Sequence, residues 1–152
     1  MASAPSAFTP ANPDFAQRVA ESFARQSAMQ SLGITLRDVA PGFVALHMPF
    51  NAAFTQQNGF MHAGVITTAL DSACGYAAFS LMPATADVLS IEFKTNLLSP
   101  ANAAEFRIEA HVVKAGRTIT VCEAKAFSGP ESETQKLIAT MTATMMTVTP
   151  RA

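Results

Sequence analysis

Asn58-Gly-Phe-Met-His62-Ala-Gly-Val-Ile-Thr-Thr-Ala-Leu-Asp71 is the stretch on which the fold depends. It opens a segment from His62 to Leu81 in which apolar side chains fall on every side of a helix. These residues are Val65, Ile66, Ala69, Leu70, Ala73, Tyr76, Ala77 and Phe79. A helix that is apolar all round is buried, so we expect the rest of the chain to cover it. Gly75 costs up to about 1 kcal/mol relative to Ala in such a helix, and we attribute that cost to the close approach of another backbone.

Asp71 is the only charged residue of this segment, and it has no ionic partner close in sequence. Between Asp38 and Glu92 the chain contains no Lys or Arg, and its only acids there are Asp71 and Asp87. An ionised carboxylate among apolar side chains is costly unless it is hydrogen-bonded. Asp71 is therefore a candidate for chemistry. The alternative is a helix residue that simply reaches solvent.

An amphipathic helix and a hairpin are predicted before this segment. In residues 14–29 the apolar positions recur near helical spacing, and Gly33 is a stop signal after them. The apolar positions are Phe15, Val19, Phe23 and Met29. Residues 34–39 and 43–48 flank Pro41-Gly42, a turn dipeptide, and this pattern is typical of a β-hairpin.

From Val88 onward the hydrophobic period is two, which is typical of half-buried strands. In the first strand the apolar face holds Ile91, Phe93, Thr95 and Leu97, and the polar face holds Ser90, Glu92, Lys94 and Asn96. Residues 105–112 alternate in the same way, and turn signals at 114–117 and 128–133 precede two further strands, 118–127 and 137–148. We predict a four-strand antiparallel meander in one sheet wrapped about the buried helix.

The composition limits the classes of function. Only 14% of the 152 residues are charged, against about 25% in typical soluble domains, and 49% are hydrophobic, so we expect an oligomer that buries apolar surface. The net charge is −1 and the basic residues are scattered, which disfavours nucleic-acid binding. No apolar run approaches the roughly 20 residues of a membrane span. No secretory signal is recognisable at the N-terminus, so a cytoplasmic location is expected. Cys74 and Cys122 are interpreted as buried small hydrophobes, without a disulfide or a metal.

Four ordered segments carry a resemblance to a known family. They are Asn58 to Gly64, Leu70-Asp71-Ser72, Ser90 to Ala101 with its Ser99-Pro100, and His111 to Thr118 with its Lys-Ala-Gly-Arg turn. The chain resembles the hotdog-fold acyl-CoA thioesterases, and within them the phenylacetic-acid degradation group. The resemblance implies an α+β hotdog domain over residues 31–149, an antiparallel sheet around a long central helix, after an N-terminal extension and helix in residues 1–30.

The resemblance also implies site residues. In the family, an acid nine residues after a His-Gly-Gly histidine drives hydrolysis, which here is Asp71 after His62. Ser90 would hold the attacking water. The coenzyme A part of the substrate would be lined by Leu97, Ser99, Lys114, Ala115, Gly116, Arg117, Thr118 and Ile119, and no separate cofactor is implied. Relatives often carry an amide six residues before the His, and Gln56, Gln57 and Asn58 are the candidates here. The first Gly of the motif is Ala63, whose backbone N–H can serve equally.

Thioester hydrolysis needs a base or nucleophile and donors aimed at the carbonyl oxygen. Helix N-termini present unpaired N–H groups, so the Ala63 and Gly64 amides are suited to an oxyanion hole. Asp71 would be the general base or the nucleophile. His62 either orients the thioester or caps the helix, and the sequence leaves both roles open.

Helix geometry predicts how many chains make one site. His62 and Asp71 are nine residues apart, which places them on opposite sides of the helix and ~13 Å apart along its axis. One subunit cannot bring both to a single site, so a site containing both requires a homodimer, alone or within a homotetramer. This agrees with the resemblance, which implies two hotdogs side by side sharing two sites.

Two other functions remain open on such a fold. One is an acyl-CoA hydratase or dehydratase, which pairs a His with an acid. The other is a non-catalytic acyl-CoA-binding protein, although a pure binder gains nothing from a lone carboxylate at Asp71. The leading hypothesis is an acyl-CoA thioesterase acting on aryl or medium-chain acyl groups.

Overall fold

The structure, a computed structural model, describes residues 8–130 and 135–149. Its elements are α1 (Phe15–Ala24), α2 (Ser27–Leu32), β1 (Thr35–Ala40), β2 (Phe43–Pro49), a short 3-10 turn (Ala52–Phe54), α3 (Ala63–Phe79), β3 (Asp87–Leu97), β4 (Glu105–Ala115), β5 (Ile119–Ser128) and β6 (Lys136–Val148). The strands form one antiparallel sheet in the order β1-β2-β4-β5-β6-β3, and α3 packs against it. This confirms the α+β hotdog fold expected from the sequence.

The central helix α3 is buried as its apolar pattern predicts. Ten of its 17 residues are buried, and Leu70, Ala73 and Cys74 are completely inaccessible to solvent. The close approach of a backbone predicted for Gly75 does not occur within a single chain, because a methyl group on Gly75 would meet no atom of another element within 4 Å among the described residues. Within the described part of one chain, the cost of this glycine in helix stability therefore has a different reason.

The N-terminal helix is broken in two, contrary to the single helix predicted for residues 14–29. Met29 lies six residues after Phe23, so a continuous helix would turn it about 120° away from the apolar stripe. The chain leaves the helix at Gln26, which has extended backbone angles, and Met29 then reaches the core with no exposed surface. Gly33 ends α2 in the left-handed conformation, at φ 68°, as its position suggested.

Arg18 links α1 to the segment that follows α3 by hydrogen bonds. Its guanidinium donates to the carbonyls of Met82 and Ala86 and lies 3.8 Å from the centre of the Phe79 ring. Partial burial lowers the pKa of Arg18, against the opposing effect of the Asp87 carboxylate, yet a guanidinium stays charged at neutral pH. The N-terminal helices are therefore held on the C-terminal half of α3.

Strand β3 does not take the place predicted for it. It pairs with β6 instead of β4, so the predicted meander holds only for β4, β5 and β6, and β3 forms an edge of the sheet. Its large apolar side chains are exposed, for example Phe93 at 44% and Leu97 at 58%. The prediction of a half-buried β3 is thus wrong for a single chain, whereas β4 buries Phe106, Ile108, Ala110 and Val112 as predicted.

A bulge in β3 moves Ser90 to the opposite face from the one predicted. The register against β6 shifts between Ser90 and Glu92, which leaves Ile91 as an extra residue. Ser90 lies opposite Met145 and Leu97 lies opposite Ala139, both of them buried residues of β6. Ser90 therefore shares the inner, helix-facing side of the sheet with Leu97, and its assignment to the polar face is corrected.

Both cysteines are buried as expected, Cys74 on α3 and Cys122 on β5. Burial raises the pKa of the Cys74 thiol, and the neighbouring Cys122 and Asp71 raise it further. Burial also raises the pKa of Cys122, to about 12. Neither thiol is ionised at neutral pH, so neither supplies a thiolate nucleophile. Within residues 8–130 and 135–149 there is no helix with the length and apolar character needed to cross a membrane.

Candidate active site

Asp71 and Ser90 form the first part of the site. The Ser90 hydroxyl donates a hydrogen bond of 2.7 Å to Asp71 Oδ1, which joins the middle of α3 to the start of β3. Asp71 is half-buried, so it is not the enclosed carboxylate that the apolar sequence suggested. In the part of the chain that the structure describes, Oδ2 of Asp71 receives no hydrogen bond. One carboxylate oxygen is thus held in place while the other remains able to accept a proton.

A small cleft of about 160 Å³ opens beside this pair. Its walls come from α3, from the start of β3 and from the N-terminal segment, which contributes Ser22 on α1 and Gln26 between α1 and α2. No N-terminal residue was predicted to belong to the site, because nothing in the sequence of an amphipathic helix indicates which residues its polar face will contact.

The N-terminus of α3 forms the second part of the site. His62 is the N-cap, and its Nδ1 accepts a hydrogen bond of 2.9 Å from the Gly64 N–H. Of the two amides proposed for an oxyanion hole, Gly64 is therefore already engaged. The Ala63 N–H has no acceptor among the described residues. A methyl group on Gly64 would lie 3.1 Å from His62 Nδ1, so glycine there leaves room for the capping ring.

A larger, mostly apolar cleft of about 470 Å³ adjoins Ala63. It is lined by Gln56 and, across from the helix, by Leu97 and Ser99 at the end of β3. Asn58 is exposed and lies outside this lining, while its N–H donates to Gln56 Oε1. Among the three candidate amides, Gln56 is the one that faces the cleft.

The turn between β4 and β5 carries the remaining predicted residues. All six, from Lys114 to Ile119, are exposed. Gly116 donates its N–H to the Ile119 carbonyl, and a methyl group on Gly116 would come within 2.5 Å of that oxygen. The glycine is required by the turn itself. Lys114 and Arg117 have no ionic partner among the described residues, so both cations are available at the surface.

The predicted residues fall at two ends of the sheet. Ile119 of β5 pairs with Met146 of β6, and Met146 in turn pairs with Leu89 of β3. The β4–β5 turn therefore lies at the same end of the sheet as Ser90 and Asp71. Leu97 aligns with Ala139 near the other end, with the cleft that holds Gln56, Ala63 and Ser99. Ser90 and Leu97 are separated by seven residues of β3, or about 23 Å of extended strand. Within one chain the two groups of predicted residues therefore do not meet.

Comparison with known proteins agrees with this architecture. A model of the Thioesterase superfamily matches residues 58–135, a little over half of the chain. The chain belongs to this family. A crystal structure of a thioesterase family protein from Silicibacter pomeroyi is 52% identical, with a TM-score of 0.86 over 90% of this chain and 99% of that one. The enzyme class expected from the sequence, a thioester hydrolase, is confirmed at the level of the family.

More distant thioesterase structures share the fold. The PaaI protein of E. coli, from the phenylacetic acid degradation operon, is 18% identical with a TM-score of 0.80, covering 89% of this chain and 94% of that one. The thioesterase HI1161 of Haemophilus influenzae is 20% identical with a TM-score of 0.76, covering 84% and 87%. At such identities the likeness concerns the hotdog fold alone.

Proposed function

We propose that this thioesterase hydrolyses aryl or medium-chain acyl-CoA at sites shared between two copies of the chain. The proposal rests on two groups of the same helix, α3. One is the Asp71 carboxylate, which accepts a hydrogen bond from Ser90, and the other is the Ala63 N–H, which has no acceptor among the described residues. A thioester carbonyl needs both kinds of group, a proton acceptor for the nucleophile and a donor for the developing oxyanion.

Two copies are needed because the two groups lie too far apart in one chain. Ala63 and Asp71 are eight residues apart on α3, or about 12 Å along its axis. Strand β3 is an edge with an exposed apolar face, and edge strands pair readily with a second chain. If two copies of β3 pair antiparallel about a two-fold axis, the Ser90 end of one strand lies beside the Leu97 end of the other. Each half-site then completes the other, in a homodimer alone or within a homotetramer.

The chemical steps follow from this arrangement. Oδ2 of Asp71 takes a proton from a water held by Ser90, and the water oxygen attacks the thioester carbonyl carbon. The Ala63 N–H of the second copy stabilises the resulting oxyanion. The C–S bond then breaks, and the coenzyme A thiolate recovers the proton from Asp71. In the alternative, the Asp71 carboxylate itself attacks and water hydrolyses the mixed anhydride, and both routes use the same groups.

The remaining predicted residues are assigned to coenzyme A. Lys114 and Arg117 lie at the Asp71 end of the sheet and would contact its phosphates, for which exposed cations are suited. The cleft beside Leu97 and Ser99 of the second copy has a volume of about 470 Å³, is mostly apolar, and would hold the pantetheine arm.

The proposal is tested by measuring thiol release from a panel of acyl-CoA substrates beside hydration of an enoyl-CoA. We expect thiol release by the wild type and a loss of at least ~100-fold in kcat for Asp71→Asn, which keeps the shape of the side chain but removes the base. Asp38→Asn, an equivalent change at an exposed position on β1, should have no effect. Near wild-type hydrolysis by Asp71→Asn would refute the mechanism. Hydration without thiol release would favour the hydratase, and binding without either reaction would favour the non-catalytic protein.

A further inference from the structure

Gly75 lies inside a buried helix, and no packing contact explains why this position is a glycine. It follows Asp71 by four residues, so it lies one turn away on the same face of α3. Glycine destabilises a helix interior relative to alanine, and a methyl group here would touch no neighbouring element within 4 Å. The missing side chain therefore leaves open space, and that space belongs to the small cleft beside Asp71.

The cleft is lined mostly by polar side chains, among them Ser22 of α1, Gln26 between α1 and α2, Tyr76 of α3 and Asp87 of β3. Gln26 Oε1 accepts a hydrogen bond of 3.2 Å from Ser72, and Gln26 Nε2 has no acceptor among the described residues. The hydroxyls of Ser22 and Tyr76 lie 3.3 Å apart and hydrogen-bond each other. A shared hydroxyl pair uses one proton, so the second proton and further lone pairs remain available to a ligand.

We propose that the acyl group of the substrate lies in this cleft over Gly75, and that Gly75 and Gln26 are specificity-determining residues. The inference rests on the proposed function. Because the thioester carbon must lie beside Asp71, an acyl group that extends along α3 reaches Gly75 after about one helical turn. The cleft, with a volume of about 160 Å³, has room for a single ring whose faces lie over Gly75 and Val88, and its other walls are polar and include Asp87. Gln26 Nε2 then meets a polar substituent on that ring.

The two clefts differ in the chemistry of their linings, and we therefore assign them to different parts of the substrate. The larger cleft near Ala63 is lined by Leu97, Ile138 and other apolar side chains, and it suits the pantetheine arm as argued above. The smaller cleft limits size and carries hydrogen-bonding groups. Acyl selection would thus depend on Gln26, which lies outside the residues matched by the family model, 58–135, as well as on Gly75, which lies within them.

Gly75→Ala tests the position of the acyl group. We expect kcat/KM for phenylacetyl-CoA to fall by about 10- to 200-fold, the range for one methylene in a tight pocket. Hydrolysis of acetyl-CoA should stay within about twofold of wild type, because two carbons do not reach one helical turn along α3. The melting temperature should be equal to or above that of the wild type, because Ala is the better helix former. A fall for phenylacetyl-CoA therefore cannot be ascribed to unfolding.

Gln26→Met tests the polar wall with little change in volume. We expect the ratio of kcat/KM for hydroxyphenylacetyl-CoA over phenylacetyl-CoA to fall by about 3- to 10-fold, the equivalent of one hydrogen bond. Gln17→Met, the same substitution on the exposed side of α1, should leave the ratio unchanged.

The outcomes distinguish this inference from the proposed function. Equal rates of phenylacetyl-CoA hydrolysis in wild type and Gly75→Ala would overturn the placement of the acyl group while leaving the thioesterase intact. Equal losses on acetyl-CoA and phenylacetyl-CoA would also overturn it, because Gly75 would then act on the chemistry and not on the acyl group. A wild type that releases thiol from no acyl-CoA would overturn both proposals.

Discussion

Ala63→Pro removes one hydrogen-bond donor from the proposed oxyanion hole and little else. Ala63 is the first residue of α3, where proline is favoured because its missing N–H has no partner in the helix. The preceding residue must be extended, and His62 already is, with φ −61° and ψ 137°. The hydrogen bond from the Gly64 N–H to His62 Nδ1 is untouched. The substitution should therefore leave the fold and the helix cap intact.

The expected loss follows from the chemistry of such donors. Removing one preorganised donor to an oxyanion costs about 100- to 1,000-fold in kcat, or roughly 2.7–4 kcal/mol. Free thiol release from phenylacetyl-CoA and acetyl-CoA should fall by this factor in Ala63→Pro, with the melting temperature within a few degrees of wild type. Activity within about threefold of wild type would show that the Ala63 N–H does not face the carbonyl oxygen.

The same variant tests whether the sites are shared. Ala63→Pro and Asp71→Asn should each be inactive alone. After mixing, unfolding and reassembly, hybrid dimers should recover part of the activity, because one of their two sites would combine an intact acid with an intact amide. If mass spectrometry confirms hybrid dimers and no activity returns, each site is contained within one subunit.

Two other substitutions address residues whose roles the sequence left open. His62→Ser replaces the N-cap residue of α3 by one that caps better, so the helix should stay intact. If His62 only caps the helix, kcat should stay within about threefold of wild type. A loss of ~100-fold in kcat at unchanged melting temperature would instead show that the imidazole orients the thioester. Arg117→Ala should raise KM for acyl-CoA with a smaller change in kcat, and it should leave the hydrolysis rate of a short thioester without the nucleotide unchanged. Equal losses of activity on both substrates would show that the coenzyme phosphates bind elsewhere.

Local patterns predicted the elements that depend on local physics. The apolar residues of α3, the turn at Pro41-Gly42 and the alternation in β4 each specify their own structure, and each prediction is confirmed. Gly42 adopts φ 72°, a conformation that its lack of a side chain permits. None of these features requires knowledge of which segments distant in the sequence become neighbours.

Strand β3 shows what such patterns leave undetermined. Its alternation is the same in kind as that of β4, yet one strand lies inside the sheet and the other at its edge. Strand order depends on contacts between segments distant in sequence, and periodicity contains no information about them. The bulge at Ile91 has no sequence signal either, and it reverses the face on which Ser90 lies.

The site was predictable in its residue types but not in its contacts. Asp71 was recognisable from its isolation among apolar residues, and the resemblance supplied Ser90, whose hydrogen bond to Asp71 joins two elements. The choice between the Ala63 and Gly64 amides depends on the orientation of the His62 ring, which only the structure gives. Gly75 was recognisable as unusual, because glycine destabilises a helix interior. An internal glycine indicates either close packing or open space, and the sequence does not distinguish the two.

The geometry of a single helix explains why the proposed chemistry needs two chains. A carbonyl group is small. The oxyanion donor must lie within about 3 Å of its oxygen, and the base within about 3 Å of the water that attacks its carbon. On α3 the candidates for these roles, Asp71 and Ala63, are about 12 Å apart, and no adjustment of side chains closes that distance. The proposed two-fold axis beside β3 would reverse the direction of the second helix, so that the start of one α3 would face the middle of the other. The exposed edge of β3, unfavourable for an isolated chain, would then be the surface that brings the two halves together.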